Sequence, residues 1–206
     1  YVDEYTYRAH LVPINSEYGF HSAMASLPNL STFKRVEDYQ AYISRLNALK
    51  PYFDQQIAYM KQALKEGYTQ PKVVLKGFEN SVASYIVENA EDSGFYSPFT
   101  RFPEYFTAEQ KSALTEQGKA AINSSVLPAY QMFYDFMVGE YIPNAREDIA
   151  ANSWPDGVAY YANRAKHYTT TDMTPQEIHD LGLSEVKRIR AQMQQIVDEL
   201  DFDGDI

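Results

Sequence analysis

Apolar residues recur at three- and four-residue spacing along most of this 206-residue chain, and period-two alternation is scarce, so the pattern predicts helices rather than strands. Residues 1–31 are the least regular. Leu11-Val-Pro13-Ile and Leu27-Pro28-Asn29-Leu-Ser31 are broken by proline, which disfavours helix at the preceding residue, and leave an extended entry with room for one short helix near 18–26. From Thr32 the pattern changes. Val36, Tyr39, Ile43, Leu46 and Leu49 lie on one helical face. Pro51 can occupy the first turn of a next helix, whose face carries Phe53, Ile57, Met60 and Leu64 and whose natural stop is Gly67. Pro71 is expected to open a third helix bearing Val74, Phe78, Val82, Tyr85, Ile86 and Asn89.

Residues 93–106 form a proline-punctuated aromatic segment, too polar in backbone and too irregular to be a helix, of the kind packed by its own side chains or used for function. Thr107 with Gln110 is a capping box that starts a long helix running to about Val138, which Pro128 should kink or break. Short turns are expected from Gly139 to Trp154. Pro155 then introduces a helix bearing Tyr160 and Tyr161, and Thr169-Thr170-Thr171 ends it. Thr174-Pro175-Gln176-Glu177 is the strongest start signal: Thr caps, Pro takes the first helical position and Glu reaches back to the cap amide. The helix that follows is expected to bury Ile178, Leu181, Ile189, Met193, Ile196 and Leu200. The reading is all-α: an irregular multi-helix array of seven or eight antiparallel-packed helices with proline-broken aromatic loops, in one helical domain over 1–206, with 1–31 as entry and 32–206 as the array.

Composition narrows the chemistry. There is no cysteine, which removes disulfides, thiolate metal sites and cysteine nucleophiles. The net charge is −10, from 18 basic and 28 acidic residues, so a basic surface for nucleic acid is not expected. No apolar run approaches the roughly 20 residues of a membrane span, and no signal peptide is visible. Tyr1-Val2-Asp3 is an unusual start and reads as a processed or trimmed end. The 18 tyrosines and 11 phenylalanines suit packing between helices, or alternatively an aromatic groove for a peptide or glycan.

Candidate chemistry is sparse. The four histidines His10, His21, His167 and His179 include no i, i+4 pair, HExxH is absent, and there is no nucleophile elbow, P-loop or dinucleotide fingerprint. Glu177 and His179 are two apart and diverge on a helix. Asp201-Phe202-Asp203-Gly204-Asp205 has its glycine at the wrong position for a calcium loop and reads as a solvated acidic end. Five residues are substrate-groove candidates. His21 lies in an irregular segment after Gly19-Phe20, where functional groups favour loops on rigid scaffolds. Tyr160 and Tyr161 diverge by about 100° on a helix, so one of them can face a cleft. Arg164 falls beside either hydroxyl, as a carboxylate or oxyanion partner would. His167 either closes its helix C-terminus as a cation or meets substrate.

Several phrases together carry a resemblance: Pro13-Ile-Asn-x-x-x-Gly19-Phe-His21, Leu27-Pro28, Asp38-Tyr39-x-x-Tyr42-Ile-x-Arg45-Leu46, Val126-Leu-Pro128-Ala-Tyr130, Tyr141-Ile-Pro143-x-Ala-Arg146, Gly157-x-x-Tyr160-Tyr161, and Tyr168-Thr-Thr-Thr-Asp-Met-Thr174-Pro175-x-Glu177-Ile-His179-x-Leu-Gly182-Leu. In this order they resemble the bacterial family called domain of unknown function 885, across nearly the whole chain. The resemblance implies an exported, often lipoprotein-anchored protein of the periplasm or envelope. It also implies a largely helical, gluzincin-type metallopeptidase whose HExxH lies in the half that follows. This chain would then be the N-terminal helical half, one wall of a substrate cleft and itself inactive, with its own C-terminal half as partner. No catalytic residue or metal ligand can be carried over onto it, and zinc is expected only in the part beyond Ile206. There zinc would polarise the scissile carbonyl and activate water with the motif Glu as base. Two further readings stand beside this one: a non-catalytic envelope module binding peptide or glycan through a Tyr-rich groove, and a helical interaction scaffold. As a severed half, the chain should leave Ile196 and Leu200 partly uncovered.

Overall fold

The computed structural model describes residues 5–201 and Gly204; the start Tyr1-Val2-Asp3 and most of the acidic end after Asp201 lie outside the described residues. The fold is all-α. Eight helices carry it: α1 (Phe20–Ala25), α2 (Val36–Asn47), α3 (Leu49–Glu66), α4 (Phe78–Ala83), α5 (Ala108–Ala121), α6 (Leu127–Phe136), α7 (Gly157–Thr169) and α8 (Pro175–Glu199). A four-residue turn at Leu27–Leu30 and several 3₁₀ turns join them. Among the described residues there is no strand, only isolated bridges between Ile14 and Gly19 and between Pro71 and Arg146. The chain divides into two compact units, Tyr1–Ile149 and Ala150–Ile206.

The first unit is built around aromatic residues. Tyr39, Tyr42, Ile43 and Leu46 of α2 are buried, as are Phe53, Ile57 and Met60 of α3 and Tyr130 and Phe133 of α6. Phe53 meets Tyr130 and Phe20 at ring-centroid distances of 4.9 Å each, and Phe20 meets Phe133 at 4.7 Å. A buried tyrosine needs a partner for its hydroxyl, and each has one. Tyr42 donates to the Phe95 carbonyl at 2.8 Å, Tyr130 to the His21 carbonyl at 2.6 Å, and Tyr39 to the Arg101 carbonyl at 3.3 Å; Tyr141 accepts from the Gln70 amide at 3.3 Å. Burial pushes the Tyr42 and Tyr130 hydroxyls far above the usual phenol range and Tyr141 up to about 12, so all three stay protonated. The tyrosine excess is therefore mainly structural in this unit.

Local signals act as the pattern predicts at most helix ends. Asp38 accepts from the Lys34 and Arg35 amides at 3.0 and 2.9 Å, and these bonds hold its carboxyl below the usual range. Gly67 stops α3 in the left-handed region, and the Thr107–Gln110 capping box starts α5. The aromatic segment 93–106 winds into a 3₁₀ turn at Gly94–Thr100 and packs Phe95, Phe99 and Phe106 inward. Phe102 stacks on Tyr39 at 4.9 Å.

Two expectations change. The helix expected from Pro71 is interrupted: a 3₁₀ turn at Lys72–Leu75 is followed by Gly77 at φ +83°, a left-handed conformation that separates it from the short α4. The interruption expected at Pro128 falls just before it and takes the form of a π turn between two α-helical segments. The five residues Ile122–Val126 between α5 and α6 form a π-helical turn. Pro128 lacks an N–H and its ring would strike the Ser124 carbonyl in a regular α-helix, and the wider turn removes both conflicts. That turn also fastens the unit: Ser125 Oγ donates to the Asn47 carbonyl and accepts from the Lys50 amide, each at 3.1 Å, at the α2–α3 corner.

The second unit differs. The Thr174–Glu177 capping box and Pro175 start α8 as expected, yet the expected burial along it fails. Ile178 is half-buried, and Leu181, Ile189, Met193, Ile196 and Leu200 are exposed. Ile196 and Leu200 thus lie uncovered, as a severed half predicts. Of the described residues 150–201, Gly157 alone is buried.

The aromatic account yields a test. Tyr130→Phe leaves the ring packing intact but removes the bond to the His21 carbonyl, which keeps its place in the α1 ladder, and should cost about 0.5–1.5 kcal/mol in urea unfolding. A change within 0.3 kcal/mol, on the order of surface substitutions, would show that this bond does not hold the entry segment to α6.

Candidate functional site

Of the five candidate residues, His21 belongs to the first unit, and Tyr160, Tyr161, Arg164 and His167 belong to the second. His21 sits in the first turn of α1 and is only 2% exposed. The loop before it is ordered by Asn15, whose Oδ1 accepts from the Glu17 and Tyr18 amides at 2.8 and 2.7 Å. The imidazole is enclosed by aromatic rings, with Phe78 at 5.1 Å, Phe133 at 5.5 Å and Tyr85 at 6.3 Å. Its Nε2 lies 3.1 Å from Ser81 Oγ. Ser81 spends its own proton on the Phe78 carbonyl at 2.7 Å, so Nε2 carries the hydrogen and donates.

That tautomer leaves Nδ1 as a bare acceptor. It is buried with no hydrogen-bond partner. Burial also pulls the imidazole down to about 4, so the ring is neutral at ordinary pH. Gly19 lies against the same atom: a Cβ there would stand 2.5 Å from Nδ1. Its φ of −154° is extended backbone open to any residue, so the glycine is required by this close approach. Beside the ring is a cavity of about 310 Å³, lined by the 15–19 loop, His21, Ser22, Lys76, Phe78, Ser81 and Tyr85 among others. Hydroxyls and aromatic walls suit a small polar ligand or a peptide end. A wider hollow of about 680 Å³ borders it in the same unit and shares Lys76 and Gly77. Its wall includes Val73, Val138, Ile142 and the Lys72–Glu147 ion pair at 2.8 Å. The Gly19-Phe20-His21 wording pointed at this place, but Ser81 and Tyr85 are some 60 residues away and had no local signal.

In the second unit, Tyr160 is half-buried against Trp154 at 5.2 Å, and the Arg164 guanidinium lies 5.9 Å from the Tyr160 ring. Arg164 Nη2 also donates to Asn163 Oδ1 at 2.7 Å. Arg164 therefore stands beside Tyr160 as the spacing implied. Tyr161 is exposed and lines a shallow hollow of about 390 Å³ with Ala150, Ala151, Asn152, Val158, Ala162 and Pro175. His167 lies in the last turn of α7, where a cation is favoured, with its ring 5.0 Å from Tyr168. The break after it holds Thr170 at φ +56°, a left-handed conformation costly for a β-branched residue. Thr169 Oγ1 steadies the turn by donating to the Ala165 carbonyl at 2.8 Å, and Lys166 pairs with Asp172 at 2.6 Å.

Among the described residues no group of three or more His, Asp or Glu is placed so that it could hold a metal ion. No described helix is long and apolar enough to cross a membrane.

The buried histidine sets a pH dependence. Its folded value is depressed below the unfolded 6.5, so above pH 6.5 both states are neutral and stability is complete. Between about pH 6.5 and 4 the unfolded chain takes up a proton that the folded chain refuses, and stability falls as pH falls. The expected loss is on the order of 2–3 kcal/mol across that window. His21→Gln should flatten this slope in urea unfolding at several pH values. An unchanged slope in the variant would assign the effect elsewhere.

With the geometry in place, the chain can be compared with known proteins. No curated protein matches it. Its fold is similar to that of a protein described as the putative lipoprotein from Colwellia psychrerythraea, with a TM-score of 0.78 and 23% sequence identity. That similarity covers 93% of this chain and 33% of the other, so the chain spans about a third of the neighbour's length. The family model described as a bacterial protein of unknown function, DUF885, matches residues 2–206, and the chain belongs to that family.

Proposed function

We propose that this chain is the N-terminal, cleft-forming part of a larger envelope protein of the zinc-metallopeptidase type, with the HExxH motif and the zinc carried by a following segment. The observation that carries the reading is the chain's correspondence to about one third of a longer structural neighbour. The uncovered apolar face of α8 supports it, because a helix with such a face is built to be covered. The lipoprotein description of that neighbour supports placement in the envelope. Within the cleft, the His21 cavity would hold part of the substrate between the 15–19 loop, the Ser22 and Ser81 side chains and the Phe78 and Tyr85 rings, while Ser81 fixes the buried imidazole behind it. By itself, the second unit offers Tyr161 in its own hollow and the Arg164–Tyr160 pair as candidate contacts.

A non-catalytic module that binds peptide or glycan is the second reading. One observation favours it: the His21 cavity is lined entirely by residues 15–85 of this chain and needs no metal. The two readings diverge in the coding sequence beyond Ile206. The peptidase reading expects an HExxH there. It also expects stoichiometric zinc and chelator-sensitive peptide hydrolysis in the longer protein, with neither in the 206-residue chain. A longer protein without that motif, or one that binds no zinc and hydrolyses no peptide, would leave the binding module as the function.

A further inference from the structure

The second unit has almost no interior of its own. Among its described residues only Gly157 is buried, although α7 and α8 together span 38 of them. A helical pair that buries so little cannot be held by its own core. From Val186 to the C-cap Leu200 the exposed large apolar residues have a definite order, whereas Leu181 and Leu183, also exposed, precede it off that line. Val186, Ile189, Met193, Ile196 and Leu200 follow one another at intervals of three, four, three and four, and each is between 44% and 72% exposed. That is the a/d spacing of a seam that receives one facing helix. Glu185, Gln192 and Glu199 flank the seam on one side and Arg190 and Val197 on the other, while Lys187 and Gln194 lie on the opposite face of the helix.

We infer that this seam on α8 is the docking site for a single helix contributed by the remainder of a longer chain, packed side by side in the manner of a coiled coil. The inference rests on the reading of this chain as part of a larger protein, and it adds the surface and the kind of element that meets it. A helix of the same chain is the favoured occupant for two reasons. The structural neighbour has about twice this length again to supply one. Two copies of this chain would instead bring together net charges of −10 each.

The absence of cysteine makes the test clean. Single cysteines are placed at seam positions (Val186→Cys, Met193→Cys, Leu200→Cys) and at off-seam positions (Lys187→Cys, Gln194→Cys). Their rates of reaction with a soluble aromatic disulfide are compared in the 206-residue chain and in the full-length protein. All five are exposed here and should leave the fold intact. The expected result is fast reaction everywhere in the 206-residue chain. In the full-length protein the seam positions should slow by 100-fold or more and the off-seam positions by less than 10-fold. Equal rates in both proteins would overturn the proposal, as would uniform slowing of all five positions, which indicates a broad interface rather than a seam. Slow seam reaction in a 206-residue chain that light scattering shows to be a dimer would assign the seam to a second copy. Slow reaction in a monomeric 206-residue chain would mean that the chain covers the seam itself. Seam protection in a full-length protein without zinc or peptidase activity would leave the docking site standing and remove the peptidase reading alone.

Discussion

The first unit depends on the packing of α6 against aromatic rings brought from five other places in the sequence. Tyr130 and Phe133 are completely buried, and between them they touch Phe20, Phe53, Phe78, Tyr85 and Phe95. Each large ring removes substantial apolar area from water, and edge-to-face contacts add specificity to that burial. The polar tips decide the register. The Tyr130 hydroxyl finds a carbonyl 109 residues earlier, and Tyr42 finds one 53 residues later, so ring packing and hydrogen bonding select the same arrangement. The His21 cavity is a by-product of this packing: the carbonyl that Tyr130 holds belongs to the same residue whose imidazole lines the cavity.

Local determinants were legible in the sequence because they act over one turn. The Thr107–Gln110 and Thr174–Glu177 boxes and the Gly67 stop are where the pattern puts them. The misreadings came from what local pattern omits. Pro128 does interrupt the regular α-helix, but through a π turn fastened by Ser125 to the α2–α3 corner, a form that no local signal specified. The apolar run after Pro71 has helical spacing, yet Gly77 adopts the left-handed conformation that only a glycine takes readily. Along α8 the apolar face was identified correctly, but periodicity states which side is apolar and not what covers it. Of the candidate site, His21 was readable from its place after Gly19-Phe20; the need for glycine at 19, and Ser81 of α4, which fixes the tautomer, are found only in three dimensions.

The two units therefore follow different physical regimes. Residues 1–149 carry a continuous core and a polar cavity bounded by their own side chains. Residues 150–201 carry well-capped helices with strong local signals and little burial. Caps and ion pairs such as Arg188–Glu185 contribute tenths to about one kcal/mol each, whereas ordering the backbone costs about 1–2 kcal/mol per residue. Such a segment gains its stability from whatever covers it. This is the physical content of treating the chain as a portion of a larger protein of its family.

Amide hydrogen exchange over Pro175–Glu199, measured in the 206-residue chain and in the full-length protein, tests that claim most directly. The account predicts near-unprotected amides in the 206-residue chain beside a well-protected α3 and α6, and protection of α8 approaching that of α6 in the full-length protein. Strong and equal protection of α8 in both would contradict it, because the helix would then be stable without the rest of the protein.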